Sequence, residues 1–398
     1  MEPSSRNLSE LAILHNFTEA LSGPDRHLFF SFETPARFPK PSLVSFFPEV
    51  LTMLEIDHRE AESEDFAKIF SGSSLLNGTR PFSLRYGGHQ FGSWAGELGD
   101  GRAVVLCEMG TSRGSYFLQV KGTGPTEFSR GFDGRAVLRS CIREYLCSEA
   151  LHRLGVPSVR TLCCVMTGEK VERDQQYDGH PRAEPGAAVC RVARSLTRFG
   201  SFEILAASGS REPLTRLLRL SIERDFPHLA DLPEAQQVSA FLAAVCSTTA
   251  SLVAHWQACG FVHGVLNTDN LSILGETIDF GPFGFLEDYD PLFTPNSTDF
   301  STRRYAYGNQ PKIAAWNLAM LANALVLLVK DQKPLNIALQ SFADTFRFKL
   351  SRLFGRKLGF AQMDEESFFP LKAVMDRFLE KSKSDFTIFF QELAEQPL

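Results

Sequence analysis

A chain of 398 residues is longer than a single hydrophobic core usually supports, so one two-lobed unit or two domains is expected. Its 43% hydrophobic and 22% charged residues exclude a disordered chain. A net charge of −6 excludes a general electrostatic drive towards nucleic acid or an anionic membrane, so any phosphate site must be a local cluster of basic residues.

The first residues, MEPSSRNLSELAILHNF, lack a basic segment followed by an apolar core, so no secretory leader is expected, and Glu2 and Glu10 argue against an organellar one. No apolar run is read as approaching the ~20 residues of a membrane span. The eight cysteines show neither a C-x-x-C pair nor zinc-type spacing, which fits a reduced, cytoplasmic protein. From the net charge and the apolar runs, neither a membrane nor a nucleic-acid partner is expected.

Residues 1–80 mix short helical patterns with turns and Phe/Pro-rich stretches, and are expected to pack as an extension on the rest. Residues 82–121 are Gly-rich and strand-like, with Gly99-Asp100-Gly101 as a hairpin turn into the apolar run AVVL. Residues 133–154 carry a helix, with Asp133 as its cap and Gly155 and Pro157 as its stop. Val137, Leu138, Cys141, Ile142 and Tyr145 form its apolar arc. Short strands follow at 158–167 and 187–193, around a polar loop (169–186) that resembles a surface insertion. From Glu203 the pattern turns helical, with helices at 238–258, stopped by Gly260, and at 312–330. Two short strands, Leu271–Ile273 and Thr277–Asp279, lie between them. The expected class is α+β: a protein-kinase-like two-lobed fold with a β-rich N-lobe (81–200), a helical C-lobe (201–398) and a nucleotide cleft between.

Four elements follow one another in the order that a protein kinase uses. The Gly-rich turn at 99–101 lets backbone N–H groups approach phosphate, although such turns are common at plain hairpins. Lys121 ends a strand on the face of Phe117 and Gln119; a strand lysine is usually a solvated edge residue. Glu144 lies at the edge of the helix's apolar arc, where a carboxylate needs a partner, and Lys121 is the partner expected. HGVLNTDNLSILGETIDFG then holds His263, Asp269, Asn270 and an intact Asp279-Phe280-Gly281. Counted from His263, Asn270 falls where H-R-D-x-x-x-x-N places its metal ligand, whereas Val265 replaces the kinase aspartate and Gly264 its arginine. The oxygens of Asn270 and Asp279 suit Mg²⁺ or Mn²⁺.

The chain also resembles the selenoprotein O family of pseudokinases. The resemblance rests on RYGGHQFG (85–92), LGDGRA (98–103), VKGTGPTEFSRGFDGRAVLRSCIREYL (120–146), VARSLTRFGSFE (192–203), FVHGVLNTDNLSILGETIDFGPFGF (261–285) and QPKIAAWNL (310–318). It implies a protein adenylyltransferase that binds ATP reversed relative to kinases, transfers AMP to Ser, Thr or Tyr hydroxyls of proteins and releases pyrophosphate. Some members are described as uridylyltransferases that use UTP with Mn²⁺. Carried over by position, it implies nucleotide contacts at Gly99, Gly101, Arg102, Lys121, Asp133 and Gly134, with Arg191 and Arg198 on the phosphates. Asp269 would be the catalytic acid/base, and Asn270 and Asp279 the metal ligands. The plain reading of Arg191 and Arg198 is surface salt bridging. The family normally continues beyond the kinase-like core, often into a cysteine-containing tail; with no cysteine after Cys259, a terminal redox switch is not expected here. Two alternatives stand beside the main reading: an inactive nucleotide-binding scaffold, and a phosphotransferase in which Asp269 replaces the missing aspartate.

Overall fold

Apolar residues on both faces of a strand mark the centre of a sheet. The run from Ala103 to Cys107 is of that kind, and every residue from Ala103 to Met109 is buried. In the computed structural model, which describes residues 5–175 and 178–395, this run is the middle of an antiparallel sheet. The chain divides into two units. The first holds residues up to Gly88 with Ala95–His152 and Ser158–Thr197, and the second His89–Trp94, Arg153–Pro157 and Arg198 onward.

The strands of the first unit's sheet are β1 (Ala12–Leu14), β2 (Phe30–Phe32), β3 (Ser42–Phe46), β4 (Phe82–Leu84), β7 (Ala103–Thr111), β8 (Gly114–Lys121), β9 (Ala136–Val137), β10 (Arg160–Arg173) and β11 (Arg182–Ala193). Among the described residues these nine run in the order β2-β4-β7-β8-β11-β10-β3, with β1 on β7 and β9 on β11. A separate two-stranded ribbon pairs β5 (Gly87–Gln90) with β6 (Ser93–Glu97). The helices are α1 (Asn16–Ala20), α2 (Pro48–Met53), α3 (Glu64–Phe70) and α4 (Leu138–Arg153). Val50, Leu51, Phe66 and Phe70 of α2 and α3 share one core with Leu106, Leu118, Val120 and Cys190 of the sheet. Residues before 80 therefore contribute three strands and much of this core.

The second unit is mostly helical: α5 (Phe199–Ala207), α6 (Arg211–Asp225), α7 (Glu234–Cys259), α8 (Gln310–Leu325), α9 (Lys333–Lys357), α10 (Glu365–Ser382) and α11 (Phe386–Glu395). A two-stranded pair, β12 (Phe261–Val262) with β13 (Gly284–Phe285), frames the loop after α7. Gly260 closes α7 at φ +72°, the left-handed conformation that glycine adopts without strain. A first unit built on a large antiparallel sheet and a mostly helical second unit bear out the α+β class.

Several local expectations are corrected. Asp133 does not cap α4: β9 pairs with β11 first, so the helix starts at Leu138. Residues 169–186 are largely ladder, because β10 and β11 stay paired out to Arg173 and Arg182; Gln176 and Tyr177 lie outside the described residues. The stretches 271–273 and 277–279 are not strands; Ser272 makes an isolated bridge with Arg198, and Thr277 N donates to Pro157 O over 2.9 Å. Gly99–Gly101 joins no hairpin, since β6 pairs with β5 and β7 with β4 and β8. Two helical stretches, Glu234–Cys259 and Tyr307–Leu328, are after all long and apolar enough for a span, with mean hydropathies of 1.5 and 1.4. Core helices pass the same test, and α7 buries Phe241, Leu242, Val245, Leu252, Val253 and Trp256 within its unit.

Candidate active site

In the first unit, strand alternation and register bring the charged groups together. Gln119 and Lys121 share one face of β8, and Arg191 on β11 is the direct partner of Gln119. Glu144 projects from α4, 1% exposed. Lys121 Nζ donates to Glu144 Oε2 over 2.7 Å, Arg191 Nε donates to Glu144 Oε1, and Arg191 Nη1 donates to Gln119 Oε1 over 3.1 Å. Gln119 Nε2 in turn donates to Asp100 Oδ2 over 3.0 Å, and Leu84 N donates to the same oxygen over 3.1 Å. Burial pushes the Glu144 carboxyl up, but Arg191 and Lys121 outweigh it and hold the group at about 2. The expected Lys121–Glu144 pair is present, and Arg191 makes it a triad.

The glycines have a packing reason. A side chain at Gly99 would meet the Phe128 ring at 2.4 Å, and one at Gly101 the Phe128 carbonyl at 2.8 Å. Gly134, at φ +63°, lies so close to Gly124 that a Cβ would come within 2.1 Å of its backbone. Asp133 is held by Arg173, whose guanidinium donates to both carboxylate oxygens over 2.8 Å. Arg102 is exposed at the entry to β7, where its carbonyl accepts from Gly122 N over 2.7 Å.

The second unit holds the remaining residues. His263 is buried, its Nε2 donating to Ile278 O over 2.8 Å and its Nδ1 accepting from Val265 N over 3.4 Å, and burial lowers its pKa. The ring therefore braces the loop, as a neutral group. Asn270 Nδ2 donates to Val265 O over 2.9 Å, which turns the amide nitrogen towards the backbone and leaves the amide oxygen for another partner. Arg198, the residue before α5, donates to the Asp279 carboxylate and, over 2.7 Å, to Asp269 O. Asp279 itself sits at φ +57°. Asp269 is 7% exposed; its Oδ2 accepts from Gln90 Nε2 over 3.2 Å, and its Oδ1 meets no donor among the described residues. Burial pushes this carboxyl up to about 6, against the pull of Arg198.

Among the described residues no group of three His, Cys, Asp or Glu side chains could cage a metal. Asn270 and Asp279 nonetheless offer a two-oxygen set of the kind that Mg²⁺ or Mn²⁺ takes when phosphate oxygens and water complete its shell. The donor chemistry fits. Neither arginine is a surface salt bridge, since Arg191 and Arg198 are each 3% exposed. Sequence reasoning missed Asp100 and Gln119; the alternation that placed Gln119 on the face of Lys121 was the available signal. It also missed His89, Gln90 and Glu203, which no spacing rule links to Asp269.

The profile of the family described as "Protein adenylyltransferase SelO" matches residues 12–397. The chain belongs to the SelO family. Proteins named protein nucleotidyltransferase YdiU are close in sequence. That of Aromatoleum aromaticum is 49% identical over 369 residues, covering 92% of this chain and 70% of its own length. That of Xanthomonas axonopodis pv. citri is 50% identical over 362 residues, covering 91% and 70%. The Rhodopirellula baltica relative is 47% identical over 371 residues, covering 92% and 69%. In shape, ROP2 from Toxoplasma gondii, a virulence factor with a protein-kinase fold and no enzymatic activity, matches 78% of this chain and 87% of its own at 10% identity and a TM-score of 0.31. A likeness at that level decides nothing about activity. As a SelO member the chain is an enzyme, a protein adenylyltransferase of the nucleotidyl-transfer class.

Proposed function

We propose that this chain transfers AMP from ATP to Ser, Thr or Tyr hydroxyls of cytoplasmic proteins, with Asp269 as general base and Asn270 and Asp279 as metal ligands. The single observation that carries the assignment is Asp269 Oδ1, a buried carboxylate oxygen without a donor among the described residues. It lies in a loop where Val265 stands at the kinase aspartate's position and cannot accept a proton. In the transfer the hydroxyl oxygen bonds to the α-phosphorus, its proton passes to Oδ1, and the bond from that phosphorus to pyrophosphate breaks. Asn270 and Asp279 would hold Mg²⁺ or Mn²⁺, which would supply charge neutralisation for the phosphates. Lys121 is assigned to the nucleotide, and Arg191 and Arg198 to its phosphates, on the family pattern. Gly99, Gly101, Arg102, Asp133 and Gly134 are assigned to the nucleotide on the family pattern. Transfer of UMP from UTP is the second substrate reading, carried by the family pattern.

ATP labelled at the α or the γ position tests the assignment. Protein-bound label from α alone, lost in Asp269→Ala, is the expected result. Label from γ alone would make the chain a phosphotransferase, and ATP binding with no label from either position would make it a scaffold.

A further inference from the structure

Three consecutive residues at the tip of the β5–β6 ribbon meet three consecutive residues of the loop that ends in Asn270. His89 N donates to Thr268 Oγ1 over 2.7 Å, Gln90 Nε2 to Asp269 Oδ2 over 3.2 Å, and Phe91 N to Asn267 Oδ1 over 3.3 Å. The ribbon turns on Phe91 and Gly92, both at positive φ (51° and 89°), a tight two-residue turn in which a bulky residue is strained. Such strain persists only where the surroundings over-determine it, and here they do. Phe91 N also donates to Tyr305 Oη over 2.7 Å, and Tyr305 Oη donates to Asn267 Oδ1. On the other side His89 Nδ1 lies 2.6 Å from Glu203 Oε1.

We propose that His89–Phe91 is a clamp on the 267–269 loop in which Gln90 is the positioning residue for Asp269. The inference rests on the reading of Asp269 as the base. A carboxylate has two oxygens, and a base needs one of them aimed at the attacking hydroxyl. The Gln90 side chain donates to Oδ2; by holding that oxygen it fixes the rotation of the carboxylate and leaves Oδ1 to take the proton. The backbone bonds on either side keep Gln90 from drifting with its ribbon. A glutamine suits the task because its amide donates without adding charge beside a buried acid. His89, Gln90 and Phe91 thus act through Asp269 and touch neither nucleotide nor metal in this assignment.

The test is a substitution series at Gln90 in the full chain: Asn, with the amide one methylene shorter; Met, of similar length without a donor; and Glu, a like charge against Asp269. Steady-state kcat and KM for ATP, direct ATP binding and melting temperature are measured for each, with Asp269→Asn as control. The expected result is kcat falling in the order Asn, Met, Glu, by between about tenfold and a hundredfold for Met, the scale of a misplaced catalytic group. KM for ATP, ATP binding and melting should stay at wild-type values. An unchanged kcat in Gln90→Met, with Asp269→Asn inactive, overturns the clamp and leaves the base assignment standing. Parallel loss of kcat, ATP binding and melting temperature in Asn and Met would make Gln90 a structural residue only. Full activity in Asp269→Asn would overturn the base assignment and the clamp with it.

Discussion

Glu144 shows how a single residue is kept ionised away from water. Lys121 and Arg191 each take one of its oxygens, so removing either partner leaves a buried charge short of a counterion. Truncation of one member of such a group costs on the order of 3–5 kcal/mol. Lys121→Ala and Glu144→Ala are each expected to lower nucleotidyl transfer strongly, with the double variant little worse than either, as a double-mutant cycle on kcat/KM would measure. Fully additive losses would mean that the two residues work apart. The pH dependence follows from the depressed pKa. Glu144 sits at about 2 against an ordinary 4.5, so between those values the unfolded chain binds the extra proton. Its stabilisation is complete above about pH 4.5 and is lost as pH falls towards 2. Urea unfolding of Glu144→Gln should show a wide stability gap to the wild type at neutral pH and a narrower one near pH 3.

At the scale of elements, the loop between β8 and α4 is shaped by close backbone approach. Gly131 and Gly134 both have positive φ, at 85° and 63°, but only Gly134 has backbone where a side chain would go. Gly131→Ala should therefore cost only the conformational strain, about 1 kcal/mol. Gly134→Ala should cost clearly more, because Gly124 must move. Thermal melting of the two variants side by side checks this, and equal losses would show that the contact yields freely. The same crowding explains why the helix pattern misled at its start. Val137 belongs to the apolar arc by periodicity, yet Ala136 and Val137 have their hydrogen-bonding groups committed to β11, which delays α4 to Leu138. Asp133, a good cap by residue type, is engaged instead by Arg173.

For the whole molecule, ligand linkage is the most direct readout, since a ligand that binds only the folded chain raises its melting temperature. ATP with Mg²⁺ or Mn²⁺ should stabilise the wild type more than ATP alone. In Asp279→Ala the metal-dependent part of that shift should vanish while ATP alone still protects, and an unchanged metal-dependent shift would remove Asp279 from the ligand set.

What the sequence determined on its own was local. Strand alternation set the face of Lys121, helical spacing put Glu144 at the edge of an apolar arc, and the offset from His263 located Asn270 ahead of Asp279-Phe280-Gly281. Each depends only on backbone period or on spacing within one short stretch. Tertiary structure alone decided the pairing. Arg191 went to Glu144 and Gln119, Arg198 to Asp279, and Gln90 to an aspartate 179 residues away. No periodicity encodes such contacts. They arise where separate elements pack and their buried polar atoms must find partners, because a buried group left without one is costly.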